Sequence, residues 1–145
     1  MTRLLVDTSV LIKWFHSDGE SEVPQARALR TAHTDGQLDV QVLDLAYYEL
    51  GNVLIRALGW TADDVADQLD DLTTILGAPL VMTAAGFRRA AELAHAHALS
   101  FYDAAWAAAA RELAVPLVSA DRKLLAAALA QTPTDVATRL SLPTA

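Results

Sequence analysis

Two short apolar runs, each closed by an aspartate, limit what this chain can fold into. Leu4-Leu5-Val6 ends on Asp7, and Val115-Pro116-Leu117-Val118-Ser119-Ala120 ends on Asp121. Both runs are too short and too apolar for amphipathic helices, so they read as buried strands. The stretches between them carry helical periodicity, and strands alternating with helices imply a parallel sheet sandwiched between helix layers. Open sheets of that kind place ligands beyond the carboxyl ends of their strands, where both aspartates would stand.

Strand one is expected over residues 3–6 and a short helix over 9–16. A second helix is expected over 22–35, and a second strand over 39–43, polar at alternate positions. Residues 46–58 form a clear helix, with Ala46, Leu50, Val53, Leu54 and Ala57 on one stripe and Gly59 as its stop. Thr61 opens a helix to about Leu76, and 79–82 reads as a short strand. Thr83 caps a helix to about Ala98, and 100–114 is an alanine-rich helix. Residues 117–119 form a further strand and 122–130 a closing helix, whereas 131–145, with Pro133 and Pro143, gives the weakest signal. No repeat or linker interrupts the chain, so residues 1–145 are expected to form one domain.

Two further acids fall on helices. Asp103 shares a face with Trp106, Ala107, Ala110 and Ala114, an uncharged stripe that must pack inward. Glu49 borders the Val53 edge of its own stripe. Each acid has a simpler reading. Asp7 and Asp121 can cap the helices that follow them, Asp103 can complete a capping box with Ser100, and Glu49 can be solvated. An unpaired acid on a packing face is costly unless a cation or a hydrogen-bond network answers it. One shared cation site therefore explains Asp7, Glu49, Asp103 and Asp121 better than four separate accidents. Four carboxylates offer hard oxygen donors, which suit Mg²⁺ or Mn²⁺ rather than zinc.

The remaining composition narrows the classes. With no cysteine there is no disulfide framework, thiolate nucleophile or zinc–sulfur site. The longest stretch free of charged side chains, 72–87, is broken by Gly77 and Pro79 and is too short to span a membrane. No signal peptide is visible, so a soluble, cytoplasmic protein without membrane contact is expected. The formal charge of −7 speaks against a broad basic nucleic-acid surface. Neutralising the four acids takes it to −3, which leaves room for a narrow nucleic-acid footprint around bound cations.

The motifs taken together resemble a known family. Leu4 to Ile12 (Leu-Leu-Val-Asp-Thr-Ser-Val-Leu-Ile) looks like the opening of PIN-domain nucleases, and Glu49 in Tyr48-Glu49-Leu50-Gly51-Asn52 resembles their helical glutamate. Ser100-Phe101-Tyr102-Asp103-Ala104 and Leu117-Val118-Ser119-Ala120-Asp121 resemble the third and fourth acidic motifs, with Ser119 where the family often has threonine. Order, spacing and length resemble the small bacterial toxins of the VapC type over nearly the whole chain. The resemblance implies a PIN-like three-layer α/β/α sandwich with a central, mostly parallel sheet. It implies a Mg²⁺- or Mn²⁺-dependent ribonuclease whose acidic quartet is Asp7, Glu49, Asp103 and Asp121, with Asp7 and Asp103 the foremost direct ligands. It also implies an RNA substrate, a small VapB-like antitoxin as partner, and a homodimer.

Supporting roles are more open. Thr8, Ser9 and Ser119 can hydrogen-bond the carboxylates or a substrate phosphate. Asn52, three residues after Glu49, can hold that carboxylate or be structural. Lys13 and Trp14 can meet a phosphate and a base, or be a solvated lysine and a core tryptophan. Arg88 and Arg89 read as solvated. His95 and His97, two apart on a helix, point to different sides and cannot share a metal. Phosphoryl transfer through an aspartyl intermediate is disfavoured, because Ser9 stands where a second aspartate is usual and no suitable late lysine follows. A degenerate PIN scaffold that binds without cutting remains the alternative, and an incomplete quartet would mark it.

Overall fold

The computed structural model of the chain describes residues 1–144. The chain starts with strand β1 (Thr2–Val6), a short helix α1 (Thr8–Leu11) that tightens into a 3-10 turn (Ile12–Trp14), helix α2 (Val23–Thr34) and strand β2 (Leu38–Gln41). Four helices follow: α3 (Leu45–Arg56), α4 (Ala62–Leu76), α5 (Ala84–His97) and α6 (Phe101–Leu113). Strand β3 (Leu117–Val118), α7 (Arg122–Ala126) and α8 (Pro133–Arg139) complete it. The strands are parallel in the order β2-β1-β3, and helices enclose the sheet in the three-layer α/β/α arrangement expected.

β1 lies in the centre because it is the strand buried on both faces: Leu4, Leu5 and Val6 have no exposed surface. Its register sets Val6 beside Val118, so the chain leaves β1 and β3 side by side. Helix α6 is the most deeply buried helix, with every residue from Ala104 to Ala110 in the core. Six of those seven are alanine, which lets neighbouring backbones approach closely, and Trp106 is the one large side chain among them. Its start is fixed by Ser100, whose Oγ accepts the Asp103 amide, and Thr61 and Thr83 cap α4 and α5 in the same way.

Several boundaries differ from the sequence reading, each for a local reason. Residues 79–82 contribute one parallel bridge, Leu80 to Leu43, rather than a strand; Pro79 has no N–H to extend the ladder. The first helix stops as α-helix at Leu11 and ends in the 3-10 turn. α7 stops at Ala126, and Ala128 then turns the chain at φ 58°, a reversal made without the glycine that would have signalled it. Within 131–145 a further helix appears. Pro133 is not a breaker there but sits in the first turn of α8, where a missing N–H costs nothing, after the cap Thr132.

The second layer is tied down by polar contacts. Trp14 Nε1 donates to the Ala26 carbonyl (2.9 Å), Arg27 Nε to the Lys13 carbonyl (3.0 Å), and Arg30 to the Trp14 carbonyl. The 3-10 turn is thus clamped to α2. His33 joins three elements: Nδ1 accepts the Val40 amide (3.0 Å), which leaves the ring proton on Nε2 to donate to the Ile75 carbonyl (2.9 Å).

Candidate active site

The carboxyl ends of β1 and β3 open into one cavity of about 600 Å³, and Asp7, Glu49, Asp103 and Asp121 all line it. Each arrives differently. Asp7 follows Val6 directly, and its amide continues the sheet by donating to the Val118 carbonyl (3.1 Å). It occupies the cap position of α1, yet its side chain makes no capping bond. Instead Ser9 Oγ donates to Oδ1 and Ser119 Oγ to Oδ2, each at 2.5 Å. The two hydroxyls in turn accept the Ala120 amide (2.9 Å, on Ser9) and the Asp121 amide (3.0 Å, on Ser119). Ser9 and Ser119 are therefore the bracket that aims Asp7 and ties it to the β3 end.

Asp7 is 4 % exposed, and no basic side chain pairs with it among the described residues. Burial pushes its pKa up to about 7, with the charge of Glu49 adding to the rise and the Ser119, Ser9 and Val10 hydrogen bonds opposing it. Asp103 is half-buried, and its pKa is also raised, by burial first and by the charge of Asp121 second. Two acids that resist ionising along one cavity mark a place where positive charge is missing.

Glu49 comes from α3. Its Oε1 accepts Thr8 Oγ1 (2.9 Å) and the indole Nε1 of Trp106 (3.0 Å). Trp106 was legible in the sequence only as a packing residue. Its position one turn after Asp103 on the same helix face was the available signal, but the partner lies 57 positions away. Asp121 does cap α7, Oδ1 accepting the Lys123 and Leu124 amides at 3.0 Å each. The cap fixes the carboxylate while Asp121 still lines the cavity, so capping does not take this acid out of it. For Asp103 the capping box is half-made: its amide donates to Ser100 Oγ (3.1 Å), and no carboxylate bond to the Ser100 backbone accompanies it among the described residues.

One supporting expectation, that for Asn52, needs correction. Asn52 is exposed and lies outside the cavity, where Val53 stands instead. Residues i+3 and i+4 fall on opposite sides of a helical residue, and here i+4 faces inward. Lys13 is not solvated. It is 4 % exposed, lines the cavity, and pairs with Glu20; neither Glu20 nor Arg122, which lines the same cavity, was expected there from the sequence. Trp14 is in the core, Arg88 and Arg89 are exposed, and His95 and His97 are exposed on α5 away from the cavity.

Residues 4–129 match the PIN domain family. The chain belongs to that family. As a class PIN domains are nucleases that work with divalent metal ions. Among solved structures, that of PAE2754 from Pyrobaculum aerophilum is similar at a TM-score of 0.67 and 27 % identity, covering 97 % of each chain. FitAcB from Neisseria gonorrhoeae is similar at a TM-score of 0.64 and 19 % identity, covering 90 % of this chain and 98 % of that one, and supports the fold alone. No curated protein matches in sequence.

The PIN cavity fits divalent-ion chemistry in its donors: carboxylates and hydroxyls, with no sulfur or imidazole. Among the described residues no three acidic or histidine side chains are gathered closely enough to hold one ion as they stand. Mg²⁺ keeps several waters and is commonly held through one or two carboxylates together with substrate phosphates, so it does not require three side chains at contact distance. Of the four acids Asp103 is the one whose role a single variant separates. Asp103→Ser in a purely capping residue would cost about 0.5–1 kcal/mol and spare function. We expect loss of Mn²⁺ affinity, read by calorimetric titration, with little change in melting temperature.

Proposed function

We propose that this PIN domain, residues 1–145, is a Mg²⁺- or Mn²⁺-dependent endoribonuclease and the toxin of a type II toxin–antitoxin pair. The observation that carries the reading is that all four acids line one cavity, with Asp7 buried and without a cationic partner among the described residues. A polyanionic substrate would be repelled from such a cavity unless cations entered first. When bound, a divalent ion supplies Lewis-acid activation of water and neutralises charge developing on phosphate and leaving oxygen.

The side chains divide the work. Asp7, pinned by Ser9 and Ser119, and Asp103, with few restraints, hold the ion. Glu49 uses Oε1 to accept Thr8 and Trp106, which holds its carboxylate at the cavity, where it would orient the attacking water. Asp121 would ligate from its capped position, directly or through water. Hydrolysis by water in line with the leaving 3′-oxygen gives 5′-phosphate and 3′-hydroxyl ends. The surplus of acids also suits a small antitoxin that places an arginine among them, since a guanidinium can stand in for a cation between carboxylates. A homodimer acting in the cytoplasm completes the reading. A non-cutting scaffold is disfavoured because all four acids are present and line one cavity.

Incubation of the purified protein with total RNA, followed by end-group mapping, tests the reading. Products that accept ligation at a 5′-phosphate support it. Ends carrying 2′,3′-cyclic phosphate would overturn it, because they arise from attack by the RNA's own 2′-hydroxyl without activated water.

A further inference from the structure

The wall of the cavity next to α1 carries a lysine that the acidic quartet does not use. Lys13 lies at the 3-10 turn after α1 with its side chain only 5 % exposed. Burying an ammonium is costly unless its charge is answered. Glu20 answers it: Nζ donates to Oε1 at 2.9 Å, and a second N–H goes to the Ser21 carbonyl at 2.8 Å. An ammonium has three donors. No protein acceptor among the described residues takes the third, and Lys13, Glu20 and Ser21 all line the cavity that holds the acids. A lysine needed only to strap the loop of residues 15–22 to the 3-10 turn has no reason to border that cavity.

We propose that Lys13 is a phosphate-binding residue of this cavity, oriented by Glu20 and Ser21, and that it receives a backbone phosphate of the RNA next to the bond being cut. The inference rests on the nuclease reading for the identity of the substrate, and on geometry for the position of the cation. Glu20 and Ser21 fix two of the three N–H directions, so the remaining donor keeps one heading. A preoriented donor loses less freedom on binding than a solvated lysine would. The negative Glu20 beside it keeps the ammonium from drawing in Asp7 or Glu49, so the acids stay free for cations.

The test is binding of a short, mixed-sequence, single-stranded RNA, followed by fluorescence anisotropy across a salt series in Mg²⁺. An Asp7→Asn background prevents cutting. Lys13→Gln should weaken binding about tenfold at low salt and make the slope of log affinity against log salt shallower by about 0.7, the share of one phosphate contact on a single strand. Lys13→Arg should restore the slope. Glu20→Gln breaks the ion pair but keeps the ammonium, so it should keep the slope. Equal losses in Lys13→Gln and Glu20→Gln with the slope unchanged would overturn the proposal and leave a loop strap only. Should Lys13→Gln not fold, Lys13→Met with Glu20→Leu replaces the pair by an apolar one and carries the same slope measurement. Lys13-dependent RNA binding by a wild-type protein that never cuts would sink the nuclease reading and keep this inference. Cutting by the wild type with no Lys13 dependence of the slope would do the reverse. No RNA binding at all would overturn both.

Discussion

Asp7→Asn is expected to abolish RNA cleavage and, in the metal-free protein at pH 8, to raise the melting temperature. The activity loss follows from removing a carboxylate at the point where β1, Ser9 and Ser119 hold it fixed, and should be on the order of a thousandfold or more. The stability gain follows from burial. Asp7 has a pKa of about 7 in the folded chain against its ordinary value of 3.8. Below the lower value both states are protonated. Between the two, the folded state keeps a proton that the unfolded state has lost, so stability falls as pH rises through that window. At ~1.4 kcal/mol per pKa unit, the full penalty above the window is on the order of 4 kcal/mol as an upper bound. Asparagine is neutral throughout, and its carbonyl can still accept one of the two serine hydroxyls. Melts of both proteins at pH 5 and pH 8, with chelator present, should show a gap that widens at the higher pH. A variant that cuts RNA as the wild type does would remove Asp7 from the site. A gap independent of pH would show that the buried carboxylate is not what destabilises the apo protein.

Exhaustive chelation should stop cleavage, and Mg²⁺ or Mn²⁺ should restore it while zinc does so poorly. The cavity offers oxygen donors only, and Mg²⁺ and Mn²⁺ accept such donors together with waters at octahedral positions. The same addition should reverse the pH penalty. An ion that binds the folded chain alone stabilises it by mass action, about 2.7 kcal/mol at a hundredfold excess over its dissociation constant. Wild-type melting at pH 8 should therefore rise with Mg²⁺, and the rise should shrink in Asp7→Asn. Undiminished cleavage after chelation would mean a metal-free ribonuclease and would defeat the role given to the four acids.

Local signals made much of this molecule legible before any coordinates. Asp7 and Asp121 close apolar runs, and such runs become strands because a short, wholly apolar segment has few other ways to be buried. The serine and threonine caps announce α4, α5 and α6, since a hydroxyl that satisfies a free amide acts within three residues. The inward face of α6 follows from its period, and with it the inward lean of Asp103. All of these depend on neighbours in sequence, where the spacing of residues fixes the spacing of atoms.

The relations that make a site out of those residues depend on packing and could not be read in the same way. Ser119 grips Asp7 across 112 positions because β3 pairs with β1 in one register; a shift by one residue would turn the serine to the other face. Trp106 reaches Glu49 only because the fold brings α6 and α3 to the same cavity. Asn52 and Val53 flank Glu49 on either side, and the apolar stripe that carries Val53 already marked that side as inward, so Asn52 was the residue that three-residue spacing alone misplaced. Lys13 could equally have pointed to water until the loop of residues 15–22 folded back to offer Glu20 and Ser21. The sequence by itself determined which groups exist and on which elements they ride. The tertiary structure decided which of them meet, because meeting depends on strand order, register and helix angle, and those are set by the burial of the whole core.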